Sequence, residues 1–159
     1  MAHFQDLTPC SYLREWAQAS LAVGWLERGH AYPQGTVDEK FFTALLRLCA
    51  NPWQPPVAFA GIHVCSLCQF GGRIAGTSSF GAGGAAGTEN VFIPGETKVF
   101  IAPTMIVHYI DAHGYVPPME FQEAVLKCPE MRSMPYFKAL RALGFSLRVT
   151  EPLNPLRAS

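Results

Sequence analysis

Apolar positions fall into several distinct patterns along the chain. Phe41, Phe42, Leu45, Leu46, Leu48 and Cys49 recur near helical spacing, which predicts an amphipathic helix. Asp38 is placed to cap its start, with Val37 as a staple, and Asn51-Pro52 ends it. Asn90-Val91-Phe92-Ile93 and Lys98-Val99-Phe100-Ile101 are short β-rich runs joined by Pro94-Gly95-Glu96-Thr97, a hairpin signal. Pro103 suits the first turn of a helix, where its missing N–H costs nothing. That helix carries Met105, Ile106, Tyr109 and Ile110, and Gly114 is placed to stop it. Two more amphipathic helices are predicted over residues 119–127 and 135–143, the second closed by Gly144.

Nearer the N-terminus, residues 11–17 read as a short helix or an extended arm. Residues 22–26 are apolar and predict a strand, followed by turn formers over 27–35. Asn51-Pro52-Trp53-Gln54-Pro55-Pro56 is a rigid connector, because its prolines fix φ. Residues 71–88 are rich in glycine, centred on Gly81-Ala82-Gly83-Gly84-Ala85-Ala86-Gly87. Such a run loses too much entropy to order without partners. It matches neither phosphate-cradling pattern, having no Gly-Lys-Ser/Thr end and no strand-to-helix context. A final strand is expected over 145–149 and disorder beyond Pro152. The expected architecture is α+β: one small globular domain over 1–152, with a flexible loop at about 71–88 and a disordered tail at 153–159. Its parts are a zinc-finger-like cysteine knuckle, a β-hairpin, a helix and further packing helices.

Composition narrows the function classes. A hydrophobic fraction of 49% with 15% charged residues fits a globular chain with a real core. Twelve Lys and Arg balance twelve Asp and Glu, so broad attraction to nucleic acid or anionic membrane is not expected. No apolar run reaches the roughly 20 residues needed to cross a bilayer. Residues 1–6 lack a basic region followed by an apolar one, so a cytoplasmic location is expected. In that compartment a Cys-x2-Cys pair points to a metal or redox site ahead of a disulfide.

That pair is Cys65-Ser66-Leu67-Cys68, and His108 and His113 follow it. Zinc takes thiolate sulfur and imidazole nitrogen, and both spacings belong to structural zinc sites. Cys65, Cys68, His108 and His113 are therefore the predicted ligands of a Zn2+ ion. On an ideal helix, residues five apart differ by about 140° around the axis. The two histidines then share a face only if the last turn unwinds, which Gly114 invites. A redox pair is the rival for the cysteines, but no βαβ context places them at a helix start. His63 is an alternative ligand or a hydrogen-bond partner of one. Four protein ligands make a closed, structural site. Three leave room for water, with Asp111 or Glu89 as a base. Cys10, Cys49 and Cys128 are scattered singly and read as small buried hydrophobes. His3 and His30 read as surface or loop residues.

These residues resemble an uncharacterised bacterial family of unknown function. The resemblance rests on Phe4-Gln5-Asp6-Leu7-Thr8-Pro9, on Val23-Gly24-Trp25-Leu26, and on His30 near a turn. It continues with Gly61, His63, Cys65 and Cys68, then with Ala102, Pro103, His108, Tyr109, His113, Tyr115, Pro117 and Pro118. It covers residues 4–126 and implies a shared fold and a shared site, but no activity. It also draws attention to His63 and His30. The glycine-rich stretch is longer here than in similar proteins.

Two function classes follow. In the first, the zinc is structural and the domain binds a protein partner. Trp16, Trp25, Trp53 and Tyr115 are candidate anchors for it, with core burial the competing reading. In the second, the protein is a metal-dependent hydrolase with an open zinc position. A nucleic-acid-binding finger ranks last, since residues 104–111 have no Lys or Arg.

Overall fold

The computed structural model describes residues 3–11, 13–55, 65–68 and 89–145. His63, the glycine-rich stretch 71–88, the expected strand beyond Phe145 and the tail lie outside those residues. Among the described residues the chain forms a 3₁₀ helix (Arg14–Ala19), strands β1 (Ser20–Ala22), β2 (Asn90–Pro94) and β3 (Val99–Pro103), and four α-helices. The helices are α1 (Glu39–Ala50), α2 (Ile106–His113), α3 (Met119–Lys127) and α4 (Met134–Ala142). The class is α+β, as expected.

The strands form one sheet in the order β1-β3-β2. The predicted hairpin is β2 with β3, antiparallel, with Phe92 opposite Ile101. Its turn closes through the Gly95 amide on the Lys98 carbonyl at 2.9 Å. β1 lies parallel on the other side of β3, with Leu21 opposite Phe100. The free edge of β1 is covered by the N-terminal segment. Leu7 donates to Ala22 at 2.9 Å, and Ala22 donates to Thr8 at 2.8 Å, which blunts an edge that would otherwise be open to pairing.

Both faces of this sheet are buried, which explains why its strands read as continuous apolar runs. Val91, Ile93, Phe100 and Ala102 face a core built with Phe41 and Leu45 of α1, Ile106 and Tyr109 of α2, and Phe121 and Val125 of α3. Phe92, Val99 and Ile101 face the other way, toward Trp16, Trp25, and Tyr136 and Leu140 of α4. There the Tyr136 hydroxyl donates to the Phe92 carbonyl at 2.7 Å.

α1 begins as predicted, with the Asp38 carboxylate accepting from the Lys40 amide at 2.8 Å. α3 occupies the predicted span. α4 starts one residue before Pro135 and is capped by the Ser133 hydroxyl, which accepts from Tyr136. Of the stretch read as a short helix or an arm, residues 14–17 fall in the 3₁₀ helix, which continues to Ala19.

Two expectations are corrected. Residues 22–26 are not a strand: β1 ends at Ala22, because Gly24 turns to φ +74° and donates its amide to Asp6. Pro103 does not open a helix: it is the last residue of β3. The ladder direction persists through Thr104, whose amide donates to the Glu89 carbonyl at 3.0 Å. On the other side, pairing with β1 runs through the Val23 amide, which donates to the Ile101 carbonyl at 3.1 Å, and stops where the proline has no N–H to continue it. Three of the aromatic candidates, Trp16, Trp25 and Tyr115, are buried in the core, and the half-buried Trp53 packs edge-on against Phe92 and Phe137. No helix among the described residues is long and apolar enough to cross a membrane.

Candidate metal centre

α2 presents Ile106, Tyr109 and Ile110 to the core. Its two histidines flank that buried stripe. His113 is still helical, so the last turn does not unwind as expected; the helix ends one residue later, at Gly114 in the left-handed region (φ 64°, ψ 23°). The amides of Gly114 and Tyr115 both return to the Tyr109 carbonyl. The rings of His108 and His113 nevertheless meet at a centroid distance of 5.1 Å, nearly perpendicular.

The cysteine turn is held from the side by the loop after Trp25. The Arg28 amide donates to the Ser66 hydroxyl at 2.9 Å, and its guanidinium donates to the Cys68 carbonyl at 3.1 Å. Cys65 is buried and Cys68 partly so. Cys65 Sγ lies 3.3 Å from His113 Nε2. Cys68 Sγ lies 3.4 Å from His108 Nε2 and 3.6 Å from His113 Nε2. The four donor atoms all lie within 4.8 Å of one another. Zinc at about 2.3 Å from sulfur and about 2.0–2.1 Å from nitrogen gives tetrahedral S···N edges of about 3.6 Å. The cluster therefore has the donor types and the spacing to hold a metal ion.

Its electrostatics agree. Burial pushes the pKa of His108 below the ordinary histidine value, with His113 adding to the effect and Asp111 opposing it. Burial also lowers His113. Both imidazoles are thereby kept neutral, the form that binds metals. Burial raises the Cys65 thiol, so a thiolate there needs a cation beside it, which a coordinated metal supplies. Cys65 and Cys68 are unbridged.

The remaining candidates lie apart from this donor group. Asp111 is exposed on α2, and Glu89 is exposed with its carbonyl engaged by Thr104. His3 and His30 stack on each other at 3.8 Å, with His3 Nδ1 2.9 Å from the Trp25 carbonyl. Cys10 is fully buried. The thiols of Cys49 and Cys128 are pushed up to about 12 by burial, so they are inert small hydrophobes.

Several supporting residues escape a reading by spacing. Asp6 accepts from the Gly24 amide at 2.9 Å through one oxygen and from the Tyr115 hydroxyl at 2.8 Å through the other. The strand-like segment at Gln34 bridges to Tyr115, and Val116 donates to the Pro33 carbonyl at 3.0 Å. Tyr32 donates to the His113 carbonyl at 3.4 Å. Together these fix the end of α2 from behind.

Residues 2–126 match the model of a family described as a domain of unknown function, DUF7919. The chain belongs to the DUF7919 family. The matched span contains all four donors of the cluster, and Asp6, Gly24 and Tyr115 with them. α4, which covers the second sheet face of this DUF7919 member, lies beyond it. No curated protein and no solved structure matches the chain.

Proposed function

We propose that Cys65, Cys68, His108 and His113 bind one zinc ion in a closed tetrahedral shell, and that the ion is structural. The observation that carries this reading is the approach of two sulfurs and two Nε2 atoms at S···N distances of 3.3–3.6 Å. Two thiolates and two imidazoles in tetrahedral array select zinc over the harder cations. Four protein donors leave no position for an activating water, so the set favours a structural site over an open hydrolase centre. The ion would pin the cysteine turn, which has little regular structure of its own, to the end of α2.

On this reading the domain acts through a protein partner. The support is Met119 and Leu126 on α3, large apolar side chains left 65% and 54% exposed two turns apart. The buried aromatics are not its anchors. Elemental mass spectrometry on reduced protein tests the metal. One zinc per chain, lost in Cys65→Ser, is expected; metal-free wild type would overturn the proposal. X-ray absorption separates the two site classes: two sulfur and two nitrogen neighbours mean a closed shell, and a missing protein ligand replaced by oxygen means an open one.

A further inference from the structure

The two cysteines of the turn are held by different forces. Cys65 is buried and belongs to the core cluster that contains Phe41, Ile106 and Tyr109. Cys68 is half-buried and packs against that cluster. Its sulfur nevertheless faces both imidazoles, 3.4 Å from His108 Nε2 and 3.6 Å from His113 Nε2. Groups of a metal site have to be held to within about 0.5 Å, and packing on one side does not do that for a side chain open to water on the other. Arg28 supplies a second restraint. Its amide donates to the Ser66 hydroxyl at 2.9 Å and its guanidinium to the Cys68 carbonyl at 3.1 Å. One residue thus grips the turn at two points, and neither point is a metal-donor atom. The loop bearing Arg28 is braced as well. The His30 amide donates to the Glu27 carbonyl across Arg28 at 3.3 Å. The Trp25 indole N–H donates to the Ile101 carbonyl of β3 at 2.9 Å, in the buried interior. His3 joins the two ends of the loop, with Nδ1 2.9 Å from the Trp25 carbonyl and its ring stacked on His30.

We infer that Arg28 is a positioning residue of the metal centre: by gripping the Ser66 hydroxyl and the Cys68 carbonyl it keeps the Cys68 sulfur within reach of both histidines. This rests on the metal reading above. The Cys68 carbonyl and the Cys68 thiol branch from the same Cα, so fixing the carbonyl fixes the stem from which the sulfur swings. The guanidinium makes the stronger of the two bonds, because its donor is charged. Both bonds lie at the surface, where a lost hydrogen bond to protein is largely replaced by one to water. The fold therefore depends on them little, whereas the placement of Cys68 depends on them directly. Outer partners of metal ligands typically contribute about 10–100-fold to metal affinity. An exposed guanidinium belongs at the lower end of that range.

The test is a Co(II) titration of reduced wild type, Arg28→Met, Ser66→Ala and Tyr136→Phe, followed by alkylation of each loaded protein with iodoacetamide, read at Cys65 and Cys68 by mass spectrometry. Arg28→Met removes the guanidinium and keeps the amide bond; Ser66→Ala removes the acceptor of that amide. Arg28→Met is expected to bind Co(II) about 10-fold more weakly, with Ser66→Ala shifted in the same direction by less. Both keep the visible bands of a tetrahedral shell, because all four donors remain. In both, Cys68 is alkylated faster than in wild type, while Cys65, held by the core, changes little. Metal-free Arg28→Met melts close to wild type. Tyr136→Phe, on the far sheet face, loses stability but keeps the wild-type affinity and the wild-type alkylation of Cys68. Wild-type affinity and unchanged alkylation of Cys68 in Arg28→Met and Ser66→Ala would overturn the inference and leave the metal site standing. An equal loss of affinity in Tyr136→Phe would also overturn it, because affinity would then follow fold stability and not the placement of the turn. Failure of wild type to take up Co(II) would bring down the metal reading and this inference together.

Discussion

The carboxylate of Asp6 binds the Gly24 amide with one oxygen and the Tyr115 hydroxyl with the other, across 109 residues of sequence in the second case. Both bonds involve a charged acceptor, each worth about 1.5–3 kcal/mol in comparable settings. Asp6→Ala would strand the buried Tyr115 hydroxyl and is expected to cost about 3 kcal/mol by chemical denaturation. Asp6→Asn, which keeps one acceptor, should cost less. At the metal centre, Cys65→Ser and Cys68→Ser should each lower the melting temperature and make it insensitive to chelator, because the binding free energy of a structural metal is folding free energy. Unchanged melting and unchanged metal content in both would rule out these ligands. The residues of this scale were unevenly legible. The Cys-x2-Cys and His-x4-His spacings name the four donors from the sequence alone. Asp6, Arg28 and Tyr32 have no such signature, since nothing in a local pattern shows a contact made across the fold.

The elements follow from local rules wherever the local and the tertiary demands agree. α1 and α3 have apolar stripes at helical spacing, and α1 has a capping aspartate; the structure keeps those spans. The hairpin follows from two apolar runs and a turn containing Pro and Gly. Disagreement is confined to places where another element intrudes. The run at residues 22–26 is apolar enough for a strand, but Gly24 passes directly over α2. A Cβ there would lie 2.8 Å from Ile106 Cδ1, and its φ is +74°. Gly24→Ala therefore combines backbone strain with overpacking, and a loss of about 2–3 kcal/mol is expected. Gly29 is the matched control: its φ is +93° but a Cβ there would meet nothing within 4 Å. Gly29→Ala should show the strain alone, about 1 kcal/mol. Equal losses in the two would show that Ile106 moves aside freely. Pro103 departs from its sequence signal for a related reason. A proline after a strand suits a helix start equally well by sequence, and only the short reach of β1 lets it end the central strand instead.

Taken as a whole, the sheet separates two cores, and the Cys/His cluster joins one of them through Cys65 and Tyr109. The histidines couple this arrangement to pH. Burial lowers the pKa of both His108 and His113, so as pH falls the unfolded chain takes up their protons before the folded one does. Their contribution to stability is full above the ordinary histidine value of about 6.5 and is lost as pH falls through the depressed folded values. A bound metal competes with the same protons, so acidification should also release it. Thermal melts from neutral to mildly acidic pH are expected to fall in metal-free protein and to fall further in loaded protein; melts flat across that range would contradict both effects. Neighbours along the chain are enough to mark α1, α3 and the hairpin, the α+β class, and four side chains with metal-binding chemistry. Only contacts across the fold bring β1 alongside the hairpin in parallel, cover both sheet faces, bury Trp16, Trp25 and Tyr115, and make two histidines on different sides of a helix converge on one cysteine turn. The reason is physical. Periodicity, turn chemistry and donor type are properties of neighbours along the chain, whereas burial, register across a crossover and the meeting of side chains depend on which distant surfaces exclude water from one another.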